Sequence, residues 1–212
     1  MHRSTGSRVL TLLLAFIFSM GSNTWLAAKG HEQRTVRIRI HDYANIEEAA
    51  LARAQEVVRG MYGEIGVRTD WLDSLRQSHD AVETFTAPDY APSDLEIIIL
   101  TTEMANRGVI PDEIIGYAAV ERGVGGRVAY VIYDRVRSFA SDTAVDDMRM
   151  MGIVMAHEIG HLLLMRQSHS DTGLMRGRWQ QSEFRADRLF DLQFSGPQAV
   201  EIRRMLEGQR TP

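Results

Sequence analysis

The segment 150–165 (MMGIVMAHEIGHLLLM) constrains the fold of this chain more than any other feature. Among its sixteen residues only His157, Glu158 and His161 are strongly polar. A helix that is apolar on every other face is a buried helix. Because two imidazoles and a carboxylate are expensive to bury without partners, the segment predicts a central helix whose polar groups act together.

The spacing of the two histidines places both imidazoles on one side of that helix. His157 and His161 are four residues apart, so one lies a turn above the other and both can bind one ion. Glu158 lies about 100° around the helix and can reach a water beside that ion. This H-E-x-x-H pattern is the helix motif of zinc peptidases. We expect His157 and His161 to bind Zn²⁺ and Glu158 to act as the general base.

The chain contains no cysteine, which restricts the ligands of any metal site. This composition excludes a disulfide-stapled fold, a zinc ribbon, an iron–sulfur protein and a thiol nucleophile. Histidines and carboxylates must therefore hold the metal. Three of the seven histidines lie within thirteen residues of each other: His157, His161 and His169.

A catalytic zinc ion needs a third protein ligand and an open position, and two downstream residues are candidates. His169 follows His161 by eight residues, beyond the predicted helix end. Glu183 begins an E-x-x-x-D spacing with Asp187 on a predicted helix. Both ligand sets are physically admissible, and we favour His169.

The stretch that follows the first histidine resembles the metzincin clan of zinc metallopeptidases. HEIGH at residues 157–161 is followed by His169 and Ser170 and then by Leu174 and Met175, a tail that is most similar to the matrixin branch. The resemblance implies a zincin-like fold, His169 as the third ligand and a methionine turn at Met175 beneath the metal. The chain also resembles a set of small exported bacterial proteins with HEIGHLLL, SHS and GLM segments, for which the implied activity is that of a metallopeptidase.

Two positions depart from the metzincin pattern. Leu164 stands where a glycine is expected, and Gln167 stands where the third histidine is expected, two residues before His169. The turn after the helix must therefore differ. Glu183 and Asp187 instead resemble the gluzincins, in which the glutamate binds zinc and the aspartate orients a histidine ligand. No histidine or tyrosine follows His169, so a gluzincin-type histidine electrophile has no candidate there.

The first 28 residues have the layout of a secretory signal peptide. Arg3 and Arg8 precede a twelve-residue apolar run at residues 9–20, and small residues follow at Ala27 and Ala28. The run is shorter than the ~20 residues of a membrane span, although an uncleaved anchor is the alternative. We expect cleavage near Ala28 and a secreted or periplasmic protein, because a mature chain without cysteine fits bacterial export.

The charge balance argues against a nucleic-acid partner. The chain has 24 Lys and Arg against 28 Asp and Glu, a net charge of −4, and removing Arg3 and Arg8 leaves −6. Nucleic-acid binding needs a basic face, and the arginines after Arg166 are scattered. We expect a peptide or protein substrate, no nucleic acid, and no membrane contact beyond the signal peptide.

The rest of the pattern predicts one α+β, zincin-like domain at residues 29–212. Residues 29–165 would form a mixed twisted sheet with the central active-site helix, and residues 166–212 a C-terminal subdomain of helices. Strands are predicted at 35–40, 67–72, 95–100, 117–120 and 128–133, and helices at 46–61, from a cap at Ser141 or Asp142 to about Met165, at 181–191 and at 197–207. An irregular loop is predicted at 76–93.

The predicted activity is that of a zinc metalloendopeptidase, in which zinc activates water and Glu158 moves the proton. An extended substrate would add along residues 128–133, provided that this strand is a sheet edge. The alternatives are a gluzincin-type peptidase with Glu183 as ligand and a non-catalytic, zinc-stabilised binding protein. A structural zinc site has no use for a general base, so Glu158 argues against the latter. We expect Trp179 in the core, and we expect Arg176 and Arg178 in solvent rather than facing substrate.

Overall fold

A computed structural model describes residues 34–75, 94–121, 125–184 and 192–208 of the chain. All of them fall within the unit Gln33–Pro212. The predicted signal peptide at 1–28 and the predicted loop at 76–93 lie outside the described residues. No described helix has both the length and the apolar character needed to cross a membrane.

Five strands form one mixed sheet in the order β2-β1-β3-β5-β4. They are β1 Arg34–Asp42, β2 Val67–Leu75, β3 Leu95–Leu100, β4 Gly116–Ala118 and β5 Val128–Ile132. The pairs β1–β2, β1–β3 and β3–β5 are parallel, whereas β4 is antiparallel to β5. The predicted α+β class with a mixed sheet is confirmed.

Five helices pack with this sheet in the described part of the chain. They are α1 Glu48–Gly63, α2 Thr102–Arg107, α3 Tyr133–Thr143, α4 Asp147–Leu164 and α5 Gly196–Gly208. The apolar segment lies in α4, which is buried without interruption from Met150 to Leu164. This helix contacts α1, α3 and α5 as well as β3, β4 and β5. It is the central helix that the sequence predicts.

The central helix begins later than the sequence indicates. Ser141 and Asp142, the predicted caps, lie inside α3, which ends at Ala144 in the left-handed conformation with φ 56°. Asp146 caps α4 instead, because its carboxylate accepts the backbone N–H groups of Met148 and Arg149. The prediction of one helix from residue 141 was wrong, since Ser141, Asp142 and Asp146 are equally good caps by residue type.

The C-terminal helices are found only in part. The predicted helix at 197–207 corresponds to α5. Of the predicted helix at 181–191, the described part is a single 3₁₀ turn at Gln181–Phe184, and residues 185–191 lie outside the described range. Neither α2 nor α3 was predicted.

The edge of the sheet beside α4 is β4 and not β5. The two strands form the predicted hairpin, with Gly125 in a left-handed conformation near its turn (φ 90°). Because β5 also pairs with β3, it has no free edge, and the expected substrate position along residues 128–133 was wrong. A local hairpin pattern does not reveal which of its two strands pairs with a distant third strand.

Close approach of α4 and α1 depends on Gly152. A Cβ at this position would lie 2.5 Å from the Cβ of Val57 and 2.6 Å from the carbonyl oxygen of Ala54. We expect Gly152→Ala to lower the free energy of unfolding by about 1–3 kcal/mol through overpacking, measured by denaturant titration. Gly60→Ala in α1 is the matched control, since nothing lies within 4 Å of its added Cβ and helix propensity favours alanine. Equal losses in both variants would contradict this packing.

Candidate metal centre

Two histidines of α4 turn their Nε2 atoms towards a common position. The Nδ1 atom of His157 lies 2.7 Å from the carbonyl oxygen of Leu174, and that of His161 lies 2.8 Å from the carbonyl oxygen of Arg166. A carbonyl oxygen only accepts, so each neutral imidazole carries its proton on Nδ1 and a lone pair on Nε2. The two Nε2 atoms are 3.0 Å apart. Two facing lone pairs repel, and a cation bound by both satisfies them.

His169 completes this group from the loop after α4. Its Nε2 atom is 3.2 Å from the Nε2 atom of His161, and ligand atoms of the three histidines lie within 4.8 Å of one another. Tetrahedral zinc with Zn–N distances of about 2.05 Å separates its nitrogen ligands by about 3.3 Å. The two spacings from His161 are close to this value, so the three histidines form a group able to hold a metal ion such as zinc, and no second such group occurs among the residues that the structure describes.

The path from α4 to His169 explains how a ligand two residues late still reaches the site. The helix continues through Leu164 and ends at Met165, which adopts the left-handed conformation with φ 50°. Further along, Gly177 packs against the ring of His169, where a Cβ would lie 2.9 Å from Cγ. The room that the imidazole needs is thus provided by a glycine after the methionine turn.

Glu183 lies outside the histidine group. Its carboxylate pairs with Arg176 at 3.0 Å and accepts the backbone N–H of Gln180 at 2.6 Å. Asp187, the predicted orienting residue, falls outside the described range. The structure therefore brings His169, and not Glu183, to the two histidines of α4.

Glu158 is buried between α4 and the edge strand. It is 5% exposed, and its Oε2 atom has no hydrogen-bond partner among the described residues. Gly116 of β4 packs against this carboxylate, because a Cβ there would lie 2.9 Å from Oε1. Burial raises the pKa of Glu158 to about 8. A carboxyl group buried without a partner binds its proton more tightly than an exposed glutamate does, so Glu158 is a stronger base than usual.

Burial also keeps the three imidazoles neutral. Burial, together with the adjacent His161, lowers the pKa of His157 to about 3. The pKa values of His161 and His169 are lowered by burial as well. Neutral imidazole is the form that binds a metal ion, so the site is prepared for one at neutral pH.

A cleft of about 710 Å³ opens over these groups. Residues 113–118, which include β4, line one side, and residues 176–179 line the other. Met175 is fully buried below α4, where a Cβ at Gly160 would lie 2.5 Å from its Sδ. Met175 therefore packs against α4 at Gly160, one residue before His161, and its role as a methionine turn beneath a metal stays a prediction. Trp179 packs against the core as expected, but it also lines the cleft, with its ring centroid 5.1 Å from that of His157.

Several contributors to the site were not found from the sequence. Gly116 and Gly177 shape the space around Glu158 and His169, and the carbonyl groups of Leu174 and Arg166 orient the two helical histidines. Nothing in the sequence around the two glycines indicates that they lie at the site, and a backbone carbonyl is present in every residue, so its role as an acceptor cannot be predicted from residue type. Arg176, expected in solvent, lines the cleft and pairs with Glu183.

The comparisons with known proteins give matches among solved structures. No protein-family model matches the chain, and no curated protein matches its sequence. Archaemetzincin from Methanopyrus kandleri matches with a TM-score of 0.46 and 15% sequence identity, over 82% of this chain and 95% of that chain. The membership of the metzincin clan indicated by residues 157–175 stays a prediction.

The third ligand is tested by removing each candidate. We expect His169→Ala to weaken zinc binding at least about 100-fold, because it takes one of three nitrogen ligands away. Glu183→Ala should leave zinc affinity within about threefold of the wild type, since its carboxylate binds Arg176. Competition with a chelator of known affinity measures both. Loss of zinc from Glu183→Ala together with retention of zinc by His169→Ala would contradict His169 as the third ligand.

The buried carboxylate predicts a pH dependence of stability in the metal-free protein. The unfolded chain releases the Glu158 proton near the ordinary pKa of 4.5, whereas the folded protein holds it to about pH 8. Between these values ionisation favours the unfolded state, so this group lowers the free energy of unfolding as pH rises. We expect Glu158→Gln to gain stability over the wild type across that interval, on the order of a few kcal/mol at its upper end. Denaturant titrations with a chelator present would contradict this if the two pH profiles were parallel.

Proposed function

We propose that this protein is a zinc-dependent peptidase of the metzincin type. The observation that carries the proposal is the convergence of three Nε2 atoms at 3.0 and 3.2 Å beside a buried carboxylate without a partner, all in one cleft. The facing imidazole lone pairs are unfavourable without a cation, and the buried Glu158 carboxylate is unfavourable without a hydrogen-bond donor. A metal ion and a substrate water satisfy both.

In this proposal His157, His161 and His169 would hold the zinc ion. When bound, the ion supplies a Lewis acid that activates water and polarises the carbonyl of the substrate. The carbonyl groups of Leu174 and Arg166 hold two of the imidazoles in the ligating tautomer and orientation. Three protein ligands leave one position open, as catalysis requires and a closed structural site does not.

Glu158 is the general base of the proposed reaction. Its carboxylate accepts a proton from the attacking water and delivers it to the leaving amine. Gly116 and the apolar neighbours on α4 leave the Oε2 atom of Glu158 without a hydrogen-bond partner among the described residues, so this atom is available to the attacking water. A non-catalytic zinc-binding protein, the second candidate, gives no reason for a buried and unpartnered carboxylate at this place.

The substrate of this proposal is an extended peptide at the edge of the sheet. β4 lines the cleft and has one edge without a partner strand among the described residues, whereas β5 is paired on both sides. An extended peptide can pair with such an edge through its main chain. We further propose that the protein acts after export, on the basis of the signal-like residues 1–28.

Replacing Glu158 by glutamine separates catalysis from metal binding. We expect Glu158→Gln to keep one zinc ion per chain and to lower kcat on a broad peptide library about 10²–10⁴-fold, because the proton acceptor is removed. Glu56→Gln, on the exposed face of α1, is the control and should retain activity. Bound zinc without hydrolysis that depends on Glu158 would favour the non-catalytic binding protein.

A further inference from the structure

The hydrogen-bonding groups of β4 alternate between β5 and the cleft side. Ile132 donates its N–H to the carbonyl of Ile115, and Ala119 donates its N–H to that of Val128, both at 2.9 Å. In an antiparallel pair every second residue makes such bonds. The N–H and C=O groups of Gly116 and Ala118 therefore point away from the sheet, towards an added strand.

The residue before Gly116 in this alternation, Ile114, is already engaged. Its N–H donates to the carbonyl of Pro111 at 3.1 Å, and its carbonyl accepts from Nη1 of Arg135 at 3.0 Å. The Arg135 guanidinium, in a residue that is 9% exposed, also donates to Pro111 O, Ile110 O and the Asn106 side chain. This buried cation holds residues 110–114 in a turn, so a substrate strand cannot continue past Gly116 in that direction.

The other flank is limited at Ala118. Its carbonyl oxygen accepts the N–H of Val120 at 3.0 Å and Nε2 of Gln167 at 3.3 Å. A carbonyl oxygen has two lone pairs, and both are used here. Gln167, which stands where the metzincin pattern has its third histidine, thus binds the edge strand instead of the metal. Ala118 retains only its N–H for an added strand.

Three main-chain groups remain for a substrate: the N–H and C=O of Gly116 and the N–H of Ala118, which have no hydrogen-bond partner among the described residues. Gly116 also lies against the Glu158 carboxylate, so these groups are next to the reacting position. An antiparallel peptide would pair one residue with Gly116 and place one more carbonyl, two residues away, at Ala118. The open edge spans about three substrate residues.

We propose that this edge strand, residues 114–118, is blocked at one end by Arg135 and at the other by Gln167, and that it limits the peptidase to recognising the main chain of about three substrate residues. The inference rests on the proposed peptidase function and narrows its substrate class. A long extended protein segment gains no main-chain pairing beyond what a short peptide obtains. Gln167 is a specificity-determining residue in this view, because it withholds the carbonyl of Ala118 from the substrate.

The test measures affinity against peptide length. Zinc-loaded, full-length Glu158→Gln is titrated calorimetrically with capped peptides of two to eight residues that share one central apolar pair. We expect Kd to fall up to about four residues and then to change less than about twofold. On an open edge each further net hydrogen bond would strengthen binding about fivefold. A steady gain of that size from four to eight residues, or no binding of any peptide, would overturn the proposal.

Removing the cap at Ala118 should restore length dependence. In the Glu158→Gln background we expect Gln167→Ala to bind the longer peptides about fivefold more tightly and the shortest unchanged, because the carbonyl oxygens of Ala118 and Val120 each lose a donor at 3.3 and 3.4 Å. Gln181→Ala is the matched control, since Gln181 Nε2 makes the same kind of bond to the Asp142 carbonyl at 3.1 Å, away from the cleft. Equal effects at all lengths, or none, would overturn the role of Gln167.

The wild-type protein separates this inference from the function on which it rests. If binding to the Glu158→Gln variant is limited by peptide length but the wild type hydrolyses no peptide, the peptidase function is contradicted and the length limit is supported. If the wild type hydrolyses peptides and affinity rises steadily with peptide length, the peptidase function is supported and the length limit is overturned. Equal kcat/KM for peptides of four and eight residues, within about twofold, supports both.

Discussion

The hydrogen bonds from the Nδ1 atoms of His157 and His161 to two backbone carbonyls are the interactions on which the site depends. They set the tautomer, and the tautomer determines that two lone pairs face each other at 3.0 Å. Both acceptors come from the segment after α4, at Arg166 and Leu174. The segments around Arg166 and Leu174 therefore orient two of the three imidazoles, and the stretch between them supplies His169. A change in either segment would reach the imidazoles through these bonds.

The rigid burial of α4 makes such precise placement possible. Tyr62 of α1 donates its hydroxyl to the Ala156 carbonyl at 3.1 Å, Gly152 admits α1 on one side, and Gly160 admits the Sδ of Met175 on another. The helix is thus held by close contacts on both faces adjacent to the ligands. The sheet that packs on α4 also places β4 against Glu158, so the packing of α4 on the sheet positions both the proposed base and the proposed substrate-binding strand.

Much of the site could be predicted from the sequence because its polar groups are confined to one apolar helix. The four-residue spacing of His157 and His161 is enough to put both imidazoles on one side. The choice between His169 and Glu183 could not be made in that way, since both follow the helix at plausible distances. In the structure Glu183 pairs with Arg176, whereas His169 lies beside His161. The start of α4 was missed for a similar reason, because residues 141–147 contain several equivalent caps.

The sequence by itself determined the buried helix, its three polar residues, the α+β class and the restriction of metal ligands to histidine and carboxylate. These follow from local periodicity and composition, which need no knowledge of distant contacts. Only the tertiary structure decided which residue joins His157 and His161, which strand is the edge, and which groups of that edge remain open among the described residues. Those features depend on contacts between residues such as Gln167 and Ala118 that are far apart in the chain, and no local pattern encodes them.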